Sequence, residues 1–268
     1  MGDPHPPLDR VEELRDHWGL ALGPPYAAGA GGYAAPAELS DGTPAVLKLI
    51  HPHRESEHEA DALIRWDGDG AVRLLDRTDD GWAVLIERCE PGTPLSAAGP
   101  ETALAVLIGL LPRLWVPAGP PFHTLAEEAG WWVGYLAGEW EAAGRPFERR
   151  LVDAAVEALT ELAPTQGQQV LLHQDLHGDN VLAATREPWL AIDPKPYVGD
   201  PAYDVTQHIF NGVFIEDADA GVLAARMARL LDLDLDRVLR WLFARAVEAS
   251  PYWDGMADLA QNLYSSLT

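Results

Sequence analysis

The segment from residue 173 to residue 193 constrains the fold more than any other part of the chain. It begins with HQDLHGDN and ends with WLAIDPKP. Asp175 and Asn180 lie five positions apart, and Asp193 follows thirteen positions later at the end of an apolar run. Apolar residues before and after the polar stretch predict a loop that short buried strands pin to a core.

These three polar residues have the side chains that phosphoryl transfer requires. Such a reaction needs a carboxylate that orients the attacking hydroxyl, and oxygen ligands that hold Mg²⁺ against the phosphates of a nucleotide. Asp175 fits the first role, whereas Asn180 and Asp193 fit the second. The pattern therefore predicts a phosphotransferase that uses ATP and Mg²⁺.

Two other interpretations of the same loop remain open. His173, Asp175, His177 and Asp179 form a tight cluster that could bind a transition metal. The helical HExxH spacing and paired CxxC cysteines of common zinc sites are both missing, which weakens this interpretation. The loop could also be acidic without being catalytic. In the phosphotransferase interpretation, His173 braces the loop through hydrogen bonds.

Lysine usage supports the phosphotransferase interpretation. The chain has 19 basic residues, of which only Lys48 and Lys195 are lysines, so the other 17 are arginines. Lys48 lies within the strand-like run AVLKLI, where a compact ammonium can reach the α- and β-phosphates. Glu59 shares a helical face with Leu63 and Trp66, so we predict that it forms an ion pair with Lys48.

Further nucleotide contacts are predicted around these residues. The glycine turn that includes Gly31 and Gly32 has backbone N–H groups that can cap phosphates, although it does not match GxGxxG. The backbone at Glu87 and Cys89, after the last strand of this region, would face the adenine. Lys195 either reaches the γ-phosphate or a substrate anion, or is a solvated loop residue. The P-loop pattern GxxxxGK[ST] is missing.

Composition narrows the partners and the compartment. The formal net charge of −23 argues against a nucleic-acid groove and suits a cationic substrate, although an acidic surface alone also explains it. No apolar run approaches the roughly 18–20 residues that span a bilayer. The single cysteine, Cys89, excludes a disulfide within the chain, and residues 1–10 lack a secretion pattern. We therefore expect a cytoplasmic protein, monomeric, with a small-molecule substrate and no membrane partner.

Periodicity and turn residues predict an α+β architecture in two parts. Residues 1–89 should form a β-rich lobe with one helix after Lys48, and residues 90–268 a larger helical lobe. Strands are predicted within 26–50, over 71–76 and 81–88, and around 170–172, 180–183 and 189–192. Helices are predicted over 8–18, 54–66, 101–115, 124–143, 147–163, 201–211, 217–232, 235–249 and 254–266. Asp200 should cap a helix that starts at Pro201, and Asp204 should be a structural hydrogen-bonding residue that clamps the loop.

The order of these motifs resembles the aminoglycoside phosphotransferase superfamily, whose fold is similar to that of protein kinases. The motifs are the glycine turn, Lys48, Glu59, ERCEPG, HQDLHGDN, IDPKP and GDPAYD. More narrowly, the segments DGTPAVLKL, ERCEPGTPL and NVLAATREPWLAIDPKP resemble the streptomycin 6-kinase and hydroxyurea phosphotransferase group. This resemblance implies a bilobal protein-kinase-like fold and ATP- and Mg²⁺-dependent phosphorylation of a hydroxyl on a small polyhydroxylated molecule.

The resemblance also suggests an acceptor, with alternatives. A guanidinylated aminoglycoside of the streptomycin type is the first expectation, and its phosphorylation would give antibiotic resistance. Hydroxyurea, an amino sugar or another metabolite is the alternative, and a catalytically silent nucleotide-binding regulator is an alternative of another class. Five residues of the helical lobe are candidates for the cation pocket: Glu216, Asp217, Asp219, Trp253 and Asp254.

Overall fold

The computed structural model describes residues 8–27 and 32–267, apart from the side chains of Leu8 and Glu216. It divides the chain into two compact units. The first unit comprises the chain up to Ala97 together with Asp179–Pro196, and the second comprises Ala98–Gly178 together with the chain from Tyr197 onward. Each unit is therefore assembled from two separate segments of the chain. The predicted domain boundary between residues 89 and 90 remains a prediction.

The first unit is built around an antiparallel sheet of five strands in the order β1-β2-β3-β5-β4. Alternating burial along β3 explains its position, because Ala45, Leu47 and Leu49 point into a core that α1 covers. The strands are β1 (Ala21–Leu22), β2 (Gly32–Glu38), β3 (Pro44–Ile50), β4 (Leu74–Arg77) and β5 (Ala83–Glu87), and the helices are α1 (Leu8–Trp18) and α2 (Glu59–Trp66).

A two-stranded hairpin completes the first unit. Its strands are β7 (Val181–Ala183) and β8 (Trp189–Ala191). Ala191 hydrogen-bonds through its backbone to Gly70 and Val72, and Gly92 donates to the carbonyl of Ala183. These bonds attach the hairpin to the segments before β4 and after β5, although about 100 residues separate them in the chain.

The second unit is helical, with one short antiparallel pair of strands. The pair consists of β6 (Val170–Leu172) and β9 (Tyr197–Gly199). Its helices are α3 (Pro100–Leu114), α4 (Leu125–Ala142), α5 (Arg149–Leu162), α6 (Pro201–Asp204), α7 (Thr206–Glu216), α8 (Ala220–Leu231), α9 (Leu235–Ala249) and α10 (Met256–Leu267). Helix starts follow local chemistry: Thr124 and Glu127 form a capping box before α4, and Asp234 caps α9.

Several predicted boundaries are wrong, for physical reasons that are visible locally. The helix expected over 54–66 is a 3-10 turn at Arg54–Ser56 followed by α2, because His58 has a non-helical backbone (φ −114°, ψ 23°). The helix expected over 201–211 is divided into α6 and α7. Strands β1 and β9 were not predicted, since two or three residues are too few to show a periodicity. Within the described residues, no helix combines the length and the apolarity needed to cross a bilayer.

Candidate active site

An ion pair between β3 and α2 forms the centre of the first group of site residues. Lys48 Nζ lies 2.7 Å from each carboxylate oxygen of Glu59, as predicted from the sequence. The Glu59 side chain is only 1% exposed, so the ammonium replaces most of its solvation. Burial raises the pKa of the Glu59 carboxyl, and the Lys48 ammonium opposes that rise. The pair therefore fixes the direction of the Lys48 side chain.

Asp193 approaches the same ammonium from the segment after β8. Its carboxylate accepts a hydrogen bond from Lys48 Nζ, yet 45% of its side chain remains exposed. Burial lowers the pKa of Lys48, but the charges of Glu59 and Asp193 exceed that effect and raise it above its usual value. Lys195 adds a positive charge that acts on Glu59. The structure thus brings two carboxylates, Glu59 and Asp193, to the ammonium of Lys48.

The backbone at Asp193 has an unusual conformation. Its φ of 58° lies in the left-handed region, which a residue with a Cβ adopts at a cost of roughly 1–2 kcal/mol. The preceding residue, Ile192, donates its N–H to the carbonyl of Asn180 at 2.9 Å. Asn180 therefore lies beside the strand that ends at Asp193. Strained backbone of this kind is common at functional sites.

The loop after β6 carries the predicted base and belongs to the second unit. Asp204 accepts hydrogen bonds from the backbone N–H groups of His173 (3.2 Å) and Gln174 (2.6 Å). The indole of Trp115 donates to the same carboxylate at 2.9 Å. Asp175 N–H in turn donates to the carbonyl of His173 at 2.8 Å. Asp204 and His173 thus hold the backbone on both sides of Gln174.

The side chain of Asp175 has a histidine neighbour. His177 Nε2 lies 3.8 Å from Asp175 Oδ1, and both side chains are largely buried. Gln174, directly before the carboxylate, has a φ of 66°. A left-handed residue at this point turns the chain sharply, and the hydrogen bonds to Asp204 offset its strain.

The remaining predicted nucleotide residues are placed as follows. Gly31 lies outside the described residues. Gly32 begins β2 with a φ of +141°, and a Cβ there would lie 2.2 Å from the carbonyl oxygen of Leu49, so no side chain fits. Glu87 receives hydrogen bonds from the guanidinium of Arg186 in the β7–β8 turn. Burial together with the charge of Glu87 raises the pKa of the Cys89 thiol to about 11, so it stays protonated.

The residues predicted to bind the acceptor lie at helix ends and in a turn of the second unit. Asp217 ends α7 in a left-handed conformation, and Asp219 caps α8 by accepting the N–H of Val222 at 2.8 Å. Trp253 and Asp254 are exposed in the turn between α9 and α10. Glu216 ends α7, and its side chain is not among those described. The assignment of these five residues to acceptor binding, like the other predicted roles, remains a prediction.

Sequence reasoning missed several residues that tertiary packing brings together. Arg186 bridges Glu87 to the carbonyls of Gly68 and Ala71. In the second unit, Tyr135 of α4 bonds to Glu248 of α9 across 113 positions. Only the spacing of aromatic and acidic residues along 128–139 would have drawn attention to α4, and the same spacing is typical of an ordinary core-facing helix.

One buried histidine near the loop predicts a pH dependence of stability. Burial, with a smaller effect from His177, lowers the pKa of His208 to about 4. The imidazole of the unfolded chain binds its proton near pH 6.5. The contribution of His208 to the free energy of unfolding is therefore complete above that pH and is lost as the pH falls toward 4. The loss from this group should total about 3 kcal/mol. His208→Gln should therefore lose less stability than the parent between pH 7.5 and 4.5, as measured by urea denaturation.

The control for this experiment is His17→Gln, since His17 is exposed on α1. That variant should lose as much stability on acidification as the parent. Equal losses in the parent and in His208→Gln would contradict the assignment of a neutral buried imidazole.

Comparison with a solved structure supports the fold. The solved choline kinase LicA of Streptococcus pneumoniae aligns with a TM-score of 0.63 at 12% identity, over 97% of this chain and 98% of that one. At that identity the likeness shows the fold alone, and it confirms the predicted α+β protein-kinase-like fold.

Curated relatives are much more similar in sequence. The chain is 40% identical over 246 residues to the hydroxyurea phosphotransferase of Kitasatospora aureofaciens, covering 89% of this chain and 71% of the relative. It is 36% identical over 252 residues to the streptomycin 6-kinase of Streptomyces glaucescens, covering 91% and 81%. A family model described as aminoglycoside/hydroxyurea antibiotic resistance kinase matches residues 17–256. The chain is therefore a phosphotransferase that belongs to the aminoglycoside/hydroxyurea antibiotic resistance kinase family.

Proposed function

We propose that this protein transfers the γ-phosphoryl group of ATP to a hydroxyl of a small cationic, polyhydroxylated compound, with an aminoglycoside of the streptomycin type as the acceptor. The observation that carries the proposal is the position of Lys48. Its ammonium is held by Glu59 and also reaches Asp193, a carboxylate that follows it by 145 positions in the chain. A lysine held in this way suits the binding of nucleotide phosphates.

The donor atoms near Lys48 fit a magnesium ion. Mg²⁺ prefers hard oxygen ligands, usually one or two carboxylates together with phosphates and water. Asp193 has a half-exposed carboxylate, and Asn180 has a neutral amide on the adjoining segment. We assign these two residues to the metal, whose charge would neutralise phosphate oxygens when it is bound. Lys48 then binds the phosphates, with Lys195 as a second cation close to the pair.

Asp175 is assigned to the acceptor hydroxyl. Its side chain is mostly buried and its backbone is fixed through His173, which reduces the number of orientations that the carboxylate can adopt. In phosphoryl transfer the carboxylate positions the hydroxyl and accepts its proton late. The hydrogen bonds from His173 and Gln174 to Asp204 maintain this loop, so we assign Asp204 and His173 a structural role.

The acceptor is proposed from relatives and from charge. Two relatives are named streptomycin 6-kinase and one is named hydroxyurea phosphotransferase, with similar identities to this chain. A net charge of −23 favours a polycation over the uncharged hydroxyurea, since a negative surface concentrates cations. Because ATP is an intracellular metabolite, we further propose that the reaction takes place in the cytoplasm.

A coupled assay of ADP release tests this function. Purified protein with ATP and Mg²⁺ is offered streptomycin, other aminoglycosides, hydroxyurea and neutral sugars, and mass spectrometry checks the product for one added phosphoryl group. We expect the highest kcat/KM with streptomycin. Phosphorylation of hydroxyurea alone would replace the proposed acceptor, and binding of ATP without any phosphorylated product would support the silent regulator.

A further inference from the structure

A cluster of aromatic and acidic side chains lies on one side of α4 in the second unit. Tyr135 donates its hydroxyl hydrogen bond to Glu248 Oε1 at 2.7 Å, and Tyr252 donates to Glu139 Oε2 at 2.8 Å. Trp131 contacts Tyr135 edge-on, with ring centroids 5.0 Å apart. Residues 131, 135 and 139 recur every four positions, so they share one face of the helix. We call these five residues the aromatic–carboxylate face.

Exposure of the aromatic rings distinguishes this face from an ordinary helix contact. Trp131 is 56% exposed and Tyr252 is 60% exposed. A large aromatic side chain gains free energy when it is buried, so exposed aromatic residues gathered on one surface commonly mark a binding site. Trp253, next to Tyr252 in the chain, is exposed as well. The face therefore offers π surfaces to a ligand.

The polar part of the face carries negative charge. Burial raises the pKa of the Tyr135 hydroxyl, and the charges of Glu248 and Glu128 raise it further. The tyrosine consequently stays protonated and donates its hydroxyl hydrogen bond to the side chain of Glu248. Glu139 has the same relation to Tyr252, whose pKa is raised chiefly by the hydrogen bond between them. Two carboxylates thus lie among aromatic rings that are themselves attractive to cations.

We propose that the aromatic–carboxylate face binds the guanidinium or ammonium groups of the acceptor. A planar guanidinium stacks on tryptophan or tyrosine by cation–π attraction and donates hydrogen bonds to carboxylates. A neutral acceptor such as hydroxyurea has no cationic group that could bind to this face. The proposal rests on the proposed function in one respect, namely that the bound cation is the compound that is phosphorylated.

Binding without nucleotide tests the face apart from catalysis. Streptomycin and hydroxyurea are each titrated calorimetrically into the full-length protein at low ionic strength. Trp131→Ala should weaken streptomycin binding about fivefold, as expected for one cation–π contact. Glu139→Gln should weaken it about threefold, and that difference should shrink in added salt. Hydroxyurea should bind parent and variants alike.

Glu141→Gln is the matched control. Glu141 belongs to the same helix and is exposed, and it pairs with Arg145 away from the five residues of the face. This variant removes the same charge and should keep the parent affinity within about 1.5-fold, since an exposed pair contributes little. Circular dichroism checks that each variant is folded, and Glu139→Gln keeps the test decisive if Trp131→Ala is unstable.

The outcomes separate the two proposals. Equal streptomycin affinities in the parent, Trp131→Ala and Glu139→Gln would contradict the proposal that the aromatic–carboxylate face binds the acceptor, even if streptomycin is phosphorylated. A parent that does not bind streptomycin would also overturn it. Streptomycin binding that is weakened by both variants, without phosphorylated product, would uphold the face and reject the proposed function.

Discussion

Asp175→Asn should reduce the turnover number about 10³-fold while leaving the protein folded. A positioned carboxylate contributes about 10²–10⁴-fold to a proton-transfer reaction, and an amide of the same shape cannot accept the proton. The fold should survive because the loop is held by backbone hydrogen bonds to Asp204 and His173, none of which involves the Asp175 carboxylate. The turnover number is measured at saturating ATP and acceptor, by stopping the reaction at set times and quantifying the phosphorylated product.

The matched control is Asp153→Asn on α5. Asp153 is exposed and pairs with Arg149 on the same helix. Its substitution therefore removes one negative charge outside the loop that carries Asp175. This variant should keep the parent turnover within about twofold. An Asp175→Asn enzyme that retains a tenth or more of the parent turnover would contradict the assignment of Asp175 as the base.

Strong local sequence patterns correctly predicted some helices and strands, of which α9 and β6 are examples. Helix α9 begins and ends where it was predicted, over residues 235–249, and the structure adds that Asp234 caps its first turn. Strand β6 was likewise predicted at 170–172, because three apolar residues precede a polar loop. In both cases each residue's own preference agrees with its tertiary surroundings, so local sequence is sufficient.

The site was only partly predictable, because its remaining contacts are long-range. Lys48 and Glu59 are eleven positions apart, and helical periodicity identified the face that carries the glutamate. No local pattern could show that Asp193 also reaches Lys48, or that Arg186 reaches Glu87 across 99 positions. Such pairs depend on how the β7–β8 hairpin docks, and that docking depends on the packing of the whole unit.

Lys48→Met should destabilise the first unit as well as inactivate the enzyme. Methionine fills a similar volume but leaves Glu59, which is 1% exposed, without its main cationic partner. Removing one member of a buried ion pair typically costs about 3–5 kcal/mol. We expect a loss of about 3 kcal/mol in urea denaturation at pH 7.5, since Asp193 and Glu59 would then be like charges in close proximity.

The pH dependence of the Lys48→Met variant follows from the same argument. Without the ammonium, burial raises the pKa of Glu59 further above its unfolded value, so the folded state binds the proton more tightly than the unfolded chain. Stability should therefore recover as the pH falls through the raised pKa, and the difference from the parent should narrow between pH 7.5 and 5.5. A constant difference across this range would contradict the buried carboxylate as the cause.

A second substitution separates stability from catalysis. Adding Glu59→Gln to Lys48→Met removes the buried charge, so the double variant should regain most of the lost stability, measured in the same urea titration. Its turnover should remain as low as that of Lys48→Met, because the ammonium that we propose to bind the phosphates is still missing. A double variant that recovered activity along with stability would show that Lys48 serves only the packing of the first unit.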